Sequence, residues 1–79
     1  MKTILIKGLD PDVTEERIRS RLAYLGQVEK CHVVHEGNVG GTTAVVEMNI
    51  GDTAMNYLLL RISHIWYETV GVSARLLHH

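Results

Sequence analysis

The chain has little cysteine, no surplus of either charge and no long apolar run, and each shortage narrows what it can be. Its one cysteine, Cys31, has no partner within the chain. An internal disulfide framework of the kind that replaces a core in small oxidised domains is therefore excluded. Eight Lys and Arg residues against nine Asp and Glu leave a formal charge of -1, so no global basic field draws the protein to polyanions. Affinity for nucleic acid has to come from a local patch. The longest apolar run falls far short of the roughly 20 residues that span a bilayer. No basic and apolar leader opens the sequence, so the expectation is a cytoplasmic protein with no membrane partner.

What is present is a core. Aliphatic and other apolar residues make up 46% of 79 residues, which suits one folded domain over 1–79 rather than a disordered chain. The segment Thr3-Ile4-Leu5-Ile6-Lys7 reads as a strand closed by Gly8, with Ile4 and Ile6 on one side and Leu5 and Lys7 on the other. Asp10-Pro11-Asp12 signals a turn, and Thr14-Glu15-Glu16 offers a capping hydroxyl followed by negative charge in a first helical turn. Ile18, Leu22 and Leu25 then recur at helical spacing until Gly26, which predicts a helix over about 14–25 stopped by the glycine.

Val28, Cys31 and Val33, with His32 and Val34 between them, predict a second strand that ends in a glycine-rich hairpin loop at 37–41. The third strand, 42–48, alternates Ala44, Val46 and Met48 with Thr43, Val45 and Glu47. Asp52 or Thr53 is the expected cap of a second helix carrying Ala54, Tyr57, Leu58, Leu60 and Ile62. A last strand, 72–77, places Val72, Ala74 and Leu76 opposite Ser73, Arg75 and Leu77.

This order predicts an α+β fold, a ferredoxin-like βαββαβ sandwich. Its four-stranded antiparallel sheet has the order 4-1-3-2, and right-handed crossovers put both helices on one face. The predicted core is Ile4, Ile6, Leu9, Ile18, Leu22, Leu25, Val33, Ala44, Val46, Met48, Leu58 and Leu76. The other face of the sheet is left open, with Leu5, Lys7, His32, Val34, Thr43, Val45, Glu47, Ser73 and Arg75 on it.

Over essentially its whole length the chain resembles the RNA recognition motif family. Ile4-Leu5-Ile6-Lys7-Gly8-Leu9 is similar to the short signature of that family's first strand. Val13-Thr14-Glu15-Glu16 is similar to its helix entry, Gly26-Gln27-Val28 to its lead into strand two, and Gly41-Thr42-Thr43-Ala44-Val45-Val46-Glu47-Met48 to its longer signature on strand three. The resemblance implies single-stranded RNA as the partner, held on the open face. Family members stack bases there on one ring from strand one and two from strand three, at about 1–3 kcal/mol per base. Those positions here are Leu5, Thr43 and Val45, and the basic residue that opens the longer signature is replaced by Gly41. RNA binding without those rings is expected to be weak or shared within a larger assembly. Its candidate residues are Leu5, Lys7, His32, Thr43, Val45 and Arg75, with Lys7 and Arg75 meeting phosphate.

A second expectation uses the same surface differently. Leu5, Val34 and Val45 as an exposed aliphatic patch suit a protein partner or a second copy of the chain. The segment His64-Ile65-Trp66-Tyr67 holds the only tryptophan, which either packs at the core edge or forms a displaced stacking platform. Cys31, His32 and His35 do not make a metal site, because alternate strand residues point to opposite faces. The glycine loop lacks the lysine of a P-loop. No nucleophile and base, and no convergent pair of carboxylates, stands out in the sequence. Neither catalysis nor a cofactor is expected, and His78 and His79 are given no role.

Overall fold

Branched residues alternating along four segments and two runs at helical spacing form six elements in the computed structural model, described over residues 1–35 and 41–78. They are β1 (Lys2–Leu9), α1 (Glu15–Leu22), β2 (Gln27–His35), β3 (Thr42–Asn49), α2 (Asp52–Ile65) and β4 (Ser73–Leu77). The hairpin loop read at 37–41 lies outside the described residues except for Gly41, and so does His79. All strand pairings are antiparallel, in the order β2-β3-β1-β4, which is 4-1-3-2 read from the other edge. The fold is α+β. No helix among the described residues is long and apolar enough to cross a membrane.

Ile4, Ile6, Ala44, Val46 and Met48 project from one sheet face and are fully buried. They share a single core with Ile18 and Leu22 of α1 and with Met55, Leu58 and Ile62 of α2, so both helices cover that face. The core is wider than the sequence suggested. It also holds Val13, Val28, Ile50, Trp66 and Val72, whereas Leu25, Val33 and Leu76, read as core, are only partly buried at its margin. Each of the larger buried side chains contributes about 1.5–3 kcal/mol, which makes this layer the main stabilising element.

Two bulges set which residues reach the core. On β1, Ile6 pairs with Ala44 but Leu9 pairs with Thr42, so β1 carries one extra residue and Ile6 and Leu9 face the same way despite their odd spacing. Gly8 permits this with φ +82, and a Cβ there would lie 2.5 Å from the Gly71 carbonyl oxygen. On β2, Val28 pairs with Met48 and Lys30 with Glu47, so Glu29 is the extra residue and Val28 joins Cys31 and Val33 on the core side. The Arg19 guanidinium donates to the Val28 carbonyl at 2.8 Å and to the Glu29 carbonyl at 3.5 Å, which holds the bulged backbone against α1.

The helix ends correct the sequence reading in part. Thr14 does cap α1, its Oγ1 accepting from the Arg17 amide at 3.2 Å. The helix closes at Leu22 rather than 25, and Gly26 is needed for space rather than as a left-handed stop, because a Cβ would lie 2.6 Å from the Asn49 carbonyl oxygen. At α2 the cap position is Gly51, without a side-chain bond, and Asp52 and Thr53 already lie inside the helix. Asp52 instead pairs with Lys2, whose Nζ also donates to the Ile50 carbonyl at 3.0 Å.

Candidate nucleic-acid interface

The register arranges the uncovered face in rows that run across the strands. Leu5 lies between Val45 on one neighbour and Arg75 on the other, and His32 lies beyond Val45, giving the row His32, Val45, Leu5, Arg75. At a strand spacing of about 4.8 Å this row spans roughly 14 Å. Val34 pairs with Thr43, and Lys7 with Ser73, one pleat further along. In the other direction lie Lys30, Glu47, Thr3 and Leu77. All six candidate residues read from the sequence therefore share one face.

Their exposure differs. His32 and Arg75 are exposed on the edge strands and Lys7 near the end of the inner strand β1, Leu5 and Val45 are half-buried at the centre, and Thr43 is only 8% exposed. Val34, at 37%, is the exposed aliphatic of the group. Lys7, Lys30 and Arg75 join none of the ion pairs among the described residues, which use Lys2, Arg19 and Arg21. The arrangement is an aliphatic centre bordered by cations, with one carboxylate, Glu47, near Lys30. It can hold phosphates at the border and apolar groups at the centre.

Lys30 has the parity of His32 and Val34 and so lay within reach of the alternation, but the outward row read from the sequence starts only at His32. The bulge at Glu29 lets Val28 face the core although it has the same parity as Lys30. No sequence signal marks that bulge except the odd spacing of Val28 and Cys31.

Cys31 and His32 fall on opposite faces, as the pleat requires, and partial burial chiefly raises the Cys31 pKa. The His35 ring nitrogen instead lies 3.1 Å from the Thr42 hydroxyl. Among the described residues no group of three or more His, Cys, Asp or Glu could hold a metal ion.

Trp66 is not a displaced stacking platform, because it is 1% exposed and packed in the core at the end of α2. Arg21 lies over its ring at 5.3 Å and over Tyr67 at 5.6 Å. The same guanidinium forms a two-pronged ion pair with Glu68 and donates to the Ile65 carbonyl at 2.9 Å. The tyrosines Tyr24, Tyr57 and Tyr67 are exposed, and none lies on the sheet. The chain's four aromatic rings thus all belong to the helix layer and its connections.

No family model, curated protein or solved structure matches this chain.

Proposed function

We propose that the chain is an RNA recognition motif-like domain of ferredoxin-like topology that binds single-stranded RNA weakly, or as one part of a larger assembly, through its uncovered sheet face. The observation that carries this reading is the border of Lys7, Lys30, His32 and Arg75 around the aliphatic centre of an open antiparallel sheet. Lys7, Lys30 and Arg75 meet phosphates, His32 donates a hydrogen bond or stacks weakly, and bases lie flat on Leu5 and Val45 beside Thr43. Such contacts lack the 1–3 kcal/mol or so per base that an aromatic ring supplies, which makes the affinity modest.

Amide NMR with a mixed pool of short single-stranded RNAs, at low and moderate salt, tests the reading. Shifts should concentrate on β1, β3 and the facing residues of β2, and fade as salt rises. Lys7→Ala and Arg75→Ala should each weaken binding to all sequences alike and lower the salt slope by about 0.7 per phosphate contact. Weakening for some sequences only would contradict the phosphate role.

The cross-strand pairing of Leu5 with Val45, next to the exposed Val34, favours a second reading in which two copies meet through this face. A sheet silent to RNA, together with a mass that doubles with concentration and is restored to monomer by Val45→Lys, would replace the first reading with this one.

A further inference from the structure

The exposed aromatic surface of the molecule lies between the two helices, on the side opposite the sheet. Helical spacing places Tyr57, Leu60, Arg61 and His64 on one flank of α2, clear of the buried Met55, Leu58 and Ile62. Tyr24, just beyond α1, adjoins Tyr57. Partial desolvation, and then this neighbouring phenol, raise the Tyr24 pKa above the ordinary tyrosine value. Tyr67 follows the end of α2, and with Tyr24, His64, Ile65 and Arg21 it lines a shallow hollow of about 330 Å³.

Three features of this hollow are informative. Of its lining residues Tyr67 is 80% exposed and Tyr24 66%, and Leu60 on the neighbouring flank of α2 is 80% exposed, a concentration of apolar surface that the fold does not use. Arg17 and Arg61 lie along the two helix flanks and join no ion pair among the described residues, while Glu68 is paired with Arg21 and Asp10 accepts from the Thr69 hydroxyl. The Tyr67 ring is already covered on one face by the Arg21 guanidinium, which leaves it better suited to walling a pocket than to stacking between bases. Tyrosine and arginine around a small concavity are also the residue types that dominate protein contacts.

We propose that this helix-side surface docks an acidic segment of a partner protein, which inserts one aliphatic anchor between Tyr24 and Tyr67 and places its carboxylates against Arg61, Arg17 and His64. The surface is separate from the sheet face, so the domain can hold RNA and a protein partner together, but the docking does not depend on RNA binding.

The test is an NMR titration of the full chain, following tyrosine ring and backbone amide signals. The probe is a short synthetic peptide of glutamates around a central leucine. Two controls are the same peptide with serine for leucine and with lysines for the glutamates. The expected result is shifts at Tyr24, Tyr57, His64 and Tyr67, weakened by about tenfold in Arg61→Glu and in either control peptide. Leu60→Ser, a change at an exposed position, should weaken binding while leaving the amide spectrum of the core unchanged. No shifts with the glutamate and leucine peptide at millimolar concentration would overturn the proposal. So would equal binding of the lysine peptide, tyrosine shifts caused by the RNA pool instead of the peptide, or a dimeric mass that Leu60→Ser abolishes.

Discussion

On β1, Ile4 and Ile6 are fully buried, while Leu5 between them is half-buried and Lys7 beside them is exposed. The same contrast runs across β3, where Ala44, Val46 and Met48 are fully buried and Val45 and Glu47 are not. The two faces come from alternate residues of the same strands, and the difference lies in the helix layer that covers one of them. One parity of each strand is therefore fixed by packing. Apart from Thr43, which is 8% exposed, the other is less constrained by packing, so its residue types bear on function in a way that those of the core do not.

The sharpest way to break this comparison is to truncate neighbours on one strand. Ile4→Ala removes a fully buried side chain from the shared core and should cost about 2–5 kcal/mol. Leu5→Ala removes a similar volume from the uncovered face and should cost about 1 kcal/mol or less. Urea denaturation followed by circular dichroism compares them directly. Losses of equal size would mean that something covers the open face in solution, and a loss for Leu5→Ala that grows with protein concentration would identify that cover as a second copy.

The alternation that makes this contrast was legible in the sequence, because Ile4, Ile6, Ala44, Val46 and Met48 keep strict period two. What strict period hides is the places where it slips. The extra residue beside Gly8 brings Leu9 to the core, which apolarity alone suggested, and the extra residue at Glu29 brings Val28 to the core, which only its odd spacing from Cys31 announces. Helix ends were legible where a side chain does the capping, as at Thr14, and not at α2, where Gly51 stands at the cap without a side-chain bond. The Arg21 to Glu68 pair and the stacking of Arg21 on Trp66 escaped for another reason. They join residues 45 or more positions apart, and no local pattern encodes such a contact.

Gly8 tests the slip itself, with a smaller effect than a core truncation. An alanine there has to adopt φ +82 and to clear a backbone oxygen 2.5 Å from its Cβ, so Gly8→Ala should cost about 2 kcal/mol. Gly71→Ala is the control, because Gly71 has φ +89 but nothing within 4 Å of an added Cβ, and should cost about 1 kcal/mol. The difference between them isolates the close approach of β1 to the start of β4. Equal costs would show that the two backbones separate easily and that the register of the open face is not held at this corner.

The smallest effect sharpens the comparison from the helix side. Arg21 reaches from α1 to the connection after α2, and its hydrogen bonds and charge hold the Glu68 carboxyl below the usual glutamate pKa. A carboxyl with a lowered folded-state pKa stabilises the protein fully above its unfolded pKa, and that contribution disappears as the pH falls through the folded value. Melting temperatures of the parent and of Glu68→Gln should therefore differ most near neutral pH and converge in acid, with the parent higher. Over the same acid range, shifts should appear at the Trp66 indole and the Tyr67 ring, which share the Arg21 guanidinium, and not follow the same curve at Leu5 or Val45 across the sheet. A difference in melting temperature that stays constant with pH would mean that Glu68 acts through packing rather than charge. A matching titration at Leu5 and Val45 would mean that the two sides of the molecule are coupled, and that a ligand on the helices would be felt on the sheet.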